Sequence, residues 1–350
     1  MTDGIHCVDQ GLCMKTIRIN VPQDILGITS DSIVEFSASY FNLPSSPGKP
    51  VVAFHGLTNV VFRGAGSPRG RVCLTGFPIQ FVNCSRLVFE RIAFRLTRPT
   101  TLPPERYEKW WSSPRLLSTS QNSTSDISFS RCSFSGNTDE IAVRLADNVP
   151  VSTLAATNIR FDRCVFGRSI TSLTPGRGNH NFGLAASRVD GLAVFKCIFA
   201  GHNRRLIQLQ GKTGLVSRCL FIDAGTMFIG LHAGSQARVV NNLFVRGTHT
   251  PARIGFVAPV GGSSLSEYKT LGTSIDLAID NLTQWQPDDQ PLQFNVSKIQ
   301  VPVLSAARTT EIESGEIGVG DTIDKNLGRM INSRTIPWVA DEPIVVSDYM

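Results

Sequence analysis

The chain has 350 residues, 41% hydrophobic and 18% charged, with a net charge of +6. That is ample apolar material for a long core. No apolar run reaches the length of a membrane span, and no Lys/Arg tract or nucleic-acid motif is present, so membrane insertion and nucleic-acid binding are not expected. The modest basic excess favours polyanions such as acidic glycans, or marks a merely soluble basic protein.

Residues 1–50 read as an N-terminal cap. They begin Met1-Thr2-Asp3-Gly4, without a basic-then-apolar signal pattern, and end in the turn-rich Pro44-Ser45-Ser46-Pro47-Gly48. The first coils are expected from Val51 to Phe94. An insertion follows over 95–125, with Pro99, Pro103, Pro104 and the pair Trp110-Trp111. Those two rings offer a sugar-stacking platform or pack the insertion onto the coils. A second insertion covers 169–181, with Arg177, Asn179 and His180. Regular coils continue to about Val260, and 261–350 reads as a C-terminal arm lying on them.

The coils announce themselves by a repeated phrase. Cys132-Ser133-Phe134 returns as Cys164-Val165-Phe166, Cys197-Ile198-Phe199 and Cys219-Leu220-Phe221. Ile92-Ala93-Phe94 precedes the set and Asn242-Leu243-Phe244 follows it. Three residues before each first member stands Phe89, Phe129, Phe161, Val194, Val216 or Val239. Self-similarity of this kind marks a solenoid in which each repeat stacks on the last. A second phrase follows: Ala-Val-Arg-Leu-Ala over 142–146, Asn-Phe-Gly-Leu-Ala over 181–185, Leu-Ile-Gln-Leu-Gln over 206–210, Phe-Ile-Gly-Leu-His over 228–232, and Arg-Ile-Gly-Phe-Val over 253–257. Apolar residues alternate with small or polar ones, the period of a half-buried strand. The expected fold is therefore all-β, a right-handed parallel β-helix. Val143, Phe182, Ile207, Ile229 and Ile254 are expected to stack inward, and Arg144, Gly183, Gln208, Gly230 and Gly255 to share an outward column.

Cys132, Cys164, Cys197 and Cys219 fall in one inward column, where a free thiol behaves as a small hydrophobe. Cys7 and Cys13 are able to pair in an oxidising compartment. No Cys/His spacing resembles a zinc site.

Several segments resemble the pectate lyase and pectin lyase family of polysaccharide lyases. Ser125-Asp126-Ile127-Ser128-Phe129-Ser130-Arg131-Cys132-Ser133-Phe134-Ser135 is similar to the family's NVWIDHCxFS phrase, His202 to Gly211 to HxxKxxxLxG, and Arg238-Val239-Val240-Asn241-Asn242 to HVxNN. Leu57 to Gly66, Gly76 to Ile79 and Ser85 to Phe94 resemble its early coils. The likeness covers about Val51–Phe244. It implies an acidic polysaccharide partner, an extracellular or surface-associated protein, and cleavage by β-elimination. In that family calcium held by carboxylates neutralises the uronate and an arginine removes the C5 proton.

Transferred residue by residue, two calcium-ligand positions are Ser130 and Arg144, with Glu140 the acid that remains, so no metal or other cofactor is expected, with calcium as the alternative. The uronate-gripping lysine falls at Arg205 or Arg204, and the catalytic arginine at Met227. A thioether takes no proton, which leaves His232 as the candidate base. The resemblance thus names His232, Arg205 and Arg204 as catalytic candidates. Arg144, Gln208, Gln210, Glu140, Trp110 and Trp111 are the candidates for holding substrate. The alternative is a catalytically inactive β-helix that binds glycans or builds part of a virion or cell surface.

Overall fold

In the computed structural model the described residues are 5–8, 12–43, 52–76, 78–96, 113–136, 139–145, 154–167, 182–202, 204–211, 214–232, 235–240, 242–245, 255–259, 274–276, 282–283, 316–319, 321 and 324–327. Trp110, Trp111, Arg177, Asn179 and His180 lie outside them, as does the whole 169–181 insertion.

The two repeated phrases become strands on different faces of one parallel β-helix. Eight successive coils each contribute a strand to each of three sheets, and further strands at the two ends bring the sheets to eleven, nine and eight strands among the described residues. One coil runs Thr124–Ser130 in the eleven-stranded sheet, Ser133–Ser135 in the nine-stranded sheet and Asp139–Leu145 in the eight-stranded sheet. The next repeats it as Ala156–Asp162, Val165–Phe166 and Phe182–Ser187. Pairing between coils is parallel. The sole antiparallel pair among the described strands is Ile5–Val8 on Leu12–Ile19, which closes the N-terminal edge and sets Cys7 opposite Cys13.

Coils begin earlier than the sequence phrases suggest. Leu12–Ile19 already pairs in parallel with Ser32–Phe36, Ser32–Phe36 pairs with Thr58–Arg63, and Tyr40–Leu43 pairs with Val72–Gly76. Most of the segment expected to cap the solenoid is therefore part of it. The first coils use Phe36, Phe41 and Leu43 inward in place of the Cys-x-Phe phrase, which hides them from a motif search. At the other end, Ser274–Asp276 and Leu282–Thr283 extend two sheets beyond residue 260.

The core is a pair of aromatic ladders. Phe62, Phe89, Phe129 and Phe161 stack at centroid distances of 4.6, 4.7 and 5.0 Å. Phe94, Phe134, Phe166, Phe199, Phe221 and Phe244 form the second stack at 4.2 to 5.4 Å. The ladders meet edge to face, as at Phe129 and Phe134, 5.7 Å apart. Ring offset is thus set by the strand spacing of about 4.8 Å, and the edge contacts supply the favourable quadrupole geometry. The cysteine column lies inward, fully or almost fully buried, with free thiols. Each Sγ donates weakly to a carbonyl of the preceding coil, as Cys132 does to Phe89 at 3.5 Å and Cys219 to Val194 at 3.7 Å. Asn242 continues the column in polar form. Its Oδ1 accepts from Cys219 N at 2.9 Å and its Nδ2 donates to Val216 O at 3.0 Å.

Residues 316–319, 321 and 324–327 lie against the outer face of the nine-stranded sheet. Ile317 and Leu327 join Val165, Ile198, Ala200, Leu220 and Ile222 in an apolar cluster, and Val319 packs on Cys73 and Ala93. A buried ionic knot fixes this segment. Arg95, only 1% exposed, donates from Nη2 to both Asp321 oxygens at 3.0 and 2.9 Å and to Asp324 Oδ1 at 2.8 Å. Its Nη1 reaches Ser135 Oγ at 3.1 Å, and Asp324 Oδ2 accepts from Ser133 Oγ at 2.6 Å and Val319 N at 2.9 Å.

Replacing Arg95 by Met leaves two carboxylates buried without their cation, and the expected cost is about 3–5 kcal/mol in urea unfolding. Replacing Arg95, Asp321 and Asp324 together by apolar residues of similar volume is expected to cost less than the single change.

His202 gives the fold an acid-sensitive point. It is completely buried, its Nε2 lies 3.4 Å from Phe166 O, and burial pushes its pKa down to about 3. The unfolded ring titrates near 6.5, so between pH 6.5 and 3 the unfolded chain binds the extra proton. The stability this neutral ring allows is complete above pH 6.5 and falls as pH drops, by about 3 kcal/mol at pH 4. A His202→Leu chain is expected to lose that part of the pH dependence, measured as urea midpoints at pH 7 and pH 4.

Candidate functional site

The eight-stranded sheet carries the residues singled out by sequence, but in a different register from the one expected. Ile207 pairs with Ile229 as foreseen, yet Ile207's other neighbour is Leu184, not Phe182, and Ile229's is Val257, not Ile254. The reason is a corner at the start of each strand, where two consecutive residues face the core. Leu206 and Ile207 are both fully buried, as are Phe228 and Ile229. In the coil before, the first of these two positions is Gly183. A Cβ there would meet Leu206 O at 2.5 Å and the Phe199 ring at 2.9 Å, so Gly183 faces the core rather than a groove. Strict alternation fails at the corner, and every outward column shifts accordingly.

Three outward columns result. The first sets Phe182 beside Arg205, Arg205 beside Met227 and Met227 beside Gly255. The second sets Ala185, Gln208, Gly230 and Ala258 in line. In the third, Ser187 pairs with Gln210, and His232, one residue past Leu231, donates its backbone N–H to Leu209 O at 3.0 Å. Arg144 pairs with Leu117 and follows Val143, which pairs with Ala186, so its backbone falls in line with Ser187 and Gln210 rather than with Gln208. Glu140 falls in line with Gly183. The side chains of Glu140 and Arg144 lie outside the described residues.

Arg205, Gln208, Gln210 and His232 are half-buried and share this face. The Arg205 guanidinium lies over the Phe182 ring, 5.1 Å from its centroid, and Nη1 donates to Gln208 Oε1. Stacking and the amide bond both hold the guanidinium in one orientation. His232 Nε2 is shielded from solvent and has no hydrogen-bond partner among the described residues. Burial, and then the charge of Arg205, hold the imidazole below its ordinary pKa. At neutral pH the face therefore pairs one fixed cation with one neutral ring. Arg204 differs from Arg205 in position: it precedes the strand Arg205–Gln210, and its carbonyl accepts from Thr226 N and Oγ1 and from Met227 N at 2.9, 2.7 and 3.2 Å.

The transferred calcium positions are not brought together. Ser130 ends a strand of the eleven-stranded sheet, whereas Glu140 and Arg144 lie in the eight-stranded sheet. Among the described residues no three His, Cys, Asp or Glu side chains are grouped to hold a metal ion, and no helix is long and apolar enough to cross a membrane. His202 is a buried strand residue. Phe182 was expected in the core and instead supports Arg205. Its place after a run of polar residues gives no local sign of that role.

The dependence of His232 on Arg205 is open to a direct test. An NMR titration of the His232 ring is expected to give a midpoint below 6.5, and Arg205→Gln is expected to raise it.

No protein-family model matches the chain, and no curated protein matches it. Among solved structures, the chain is similar in fold to a pectate lyase from Paenibacillus sp. 0602, with 10% identity and a TM-score of 0.43 over 89% of this chain and 93% of that one. It is similar to a pectate lyase from Bacillus sp. N165 in complex with trigalacturonate, with 10% identity and a TM-score of 0.43 over 87% and 93%. A thermostable pectate lyase gives 10% identity and a TM-score of 0.40 over 87% and 92%.

Proposed function

We propose that the outer face of the eight-stranded sheet binds an acidic polysaccharide, with Arg205 gripping a carboxylate. The observation that carries this reading is the guanidinium of Arg205, stacked on Phe182 and bonded to Gln208, on the same face as Gln210 and a neutral His232. A planar cation held in one orientation suits a carboxylate, and amides beside it suit sugar hydroxyls. The columns run across the strands, so a linear glycan lying along the solenoid axis meets equivalent positions coil after coil.

His232 supplies a route to cleavage without calcium. A turn of the ring that opens Nε2, shielded from solvent in this structure, to the outer face would let it take the C5 proton of a uronate whose carboxylate Arg205 neutralises. The electrons left on C5 form the C4–C5 double bond, and the C4–O bond breaks with protonation of the departing oxygen by water. A neutral imidazole is competent for the first step near pH 7. The second reading, a binding or structural β-helix without turnover, is favoured by Met227, which stands beside Arg205 and offers no acid or base.

Purified protein mixed with polygalacturonate, methylated pectin, alginate and glycosaminoglycans separates the two. Arg205→Met keeps the stem over Phe182 and removes the charge, and is expected to weaken glycan affinity about tenfold or more. Unchanged affinity would overturn the site. Ultraviolet absorbance from an unsaturated uronate product, lost in His232→Ala with binding retained, establishes the lyase. Binding without that absorbance establishes the non-catalytic reading.

A further inference from the structure

A second group of positive charges lies on another edge of the solenoid. The turn joining the eleven-stranded sheet to the nine-stranded sheet pivots on one residue in the left-handed region. In five successive coils that residue is basic: Arg91, Arg131, Arg163, Lys196 and Arg218, with φ between 51° and 56°. The strands on either side are in register, with Glu90 opposite Ser130, Ser130 opposite Asp162, Asp162 opposite Phe195 and Phe195 opposite Ser217. The five turns therefore line up one above another. With a rise of about 4.8 Å per coil they span about 19 Å along the axis.

The left-handed turn itself does not call for a cation. Left-handed backbone favours Gly, Asn and Asp, and the opposite turn of the same sheet uses Asp31, Asn59, Asp126 and Asn158 in that conformation, with Arg86 the one basic residue among them. Those residues tie the turns together, as Asn59 Nδ2 does to Asp31 Oδ1 at 2.8 Å and Asn158 Nδ2 to Asp126 Oδ1 at 2.9 Å. The basic column stacks like charges instead. The charges of Arg131 and Arg71 add to burial in lowering the pKa of Arg91. Relief within the column is partial. Asp162 pairs with Arg163 at 2.9 Å, and Glu90 is 3.8 Å from Arg63 rather than bonded to a turn residue. An arrangement unfavourable in both backbone and charge points to function more than to folding.

We infer that this basic turn column is a second binding surface, for a linear polyanionic polysaccharide lying along the solenoid axis. A polymer with one acidic group per sugar ring presents charges at a repeat close to one coil. Duplex DNA presents phosphates every 3.4 Å or so along each strand, out of step with a coil rise of about 4.8 Å. Single-stranded nucleic acid would want exposed aromatic faces for its bases. The one aromatic ring beside the column among the described residues, Phe195, already carries Lys196 and Arg218, each 5.6 Å from its centroid. The surface is independent of the Arg205 face, being built on a different edge of the coil.

The test uses the full chain with Arg131→Asn and Lys196→Asn combined, in both the wild-type and the Arg205→Met background. Asn fits the left-handed turn, so folding is expected to be kept, and thermal unfolding checks it. Calorimetric titration with polygalacturonate, heparin and single-stranded DNA of matched charge is expected to show weaker, less salt-dependent binding of the polysaccharides in the double variant, by tenfold or more. The loss should persist in the Arg205→Met background. It should also grow with oligosaccharide length up to about five rings, as a column of about 4.8 Å steps requires. Polysaccharide affinity unchanged by the two Asn substitutions would overturn the inference, as would tighter binding of DNA than of either polysaccharide. Loss confined to Arg205→Met would leave the eight-stranded face standing and this surface refuted.

Discussion

Parallel, in-register stacking of inward side chains is the constraint on which everything else in this molecule rests. A single coil has no layer to bury its apolar face against, so its stability comes from the coil above and the coil below. Register then matters more than propensity, because a slip of one residue turns the whole inward set to solvent. The two phenylalanine ladders enforce it. Each ring stacks on its counterpart one coil away and meets the other ladder edge on, as Phe129 does with Phe161 and Phe134. The cysteines serve the same end at the turn, small enough for the corner and able to donate a weak bond to the coil before.

Stacking leaves one side unsolved. The outer face of the nine-stranded sheet presents Val165, Ile198, Leu220 and Ile222 away from the core, and the segment around Ile317 to Leu327 covers them. A buried Arg with two Asp is an expensive way to hold a segment down, since each charge must leave water. It succeeds here because Arg95 is met at Nε and both Nη groups and Asp324 is bonded through both oxygens. An apolar contact alone would hold the segment at many positions along the sheet. The ionic knot admits one, and specificity of placement is the gain that offsets desolvation.

The repeat phrase made the core legible because Cys, Phe and the apolar residue three places before them occupy the same geometric place in every coil. Phe129, Phe161, Val194, Val216 and Val239 do fall into one column. The eight-stranded sheet was less legible. Its phrases are short, and the corner places two consecutive residues inward, so Leu206 and Ile207 both read as core while alternation predicts only one. That single break moved Gly183 from an outward column into the interior and moved Phe182 out of the central core, to a buried place under the Arg205 guanidinium. Arg95 was out of reach for a different reason. A charged residue next to a repeat phrase reads as solvent-facing, and its partners lie 226 and 229 residues further along the chain.

The same division explains where chemistry resides on such a scaffold. Inward positions are fixed by stacking and tolerate little, while outward columns and turns are nearly free, so function is expected where an outward residue departs from what is cheapest. Arg205 departs by bringing a cation beside a buried imidazole. Its charge and the burial act in one direction, and both keep His232 neutral. An Asn or Gln in place of Arg205 would leave His232 more basic and the face with less positive charge for a carboxylate. The pairing as it stands supplies one permanent cation and one unprotonated nitrogen at neutral pH. On the proposed reading that combination suits an acidic polysaccharide with or without turnover, since the cation would attract the carboxylate while the ring stays uncharged.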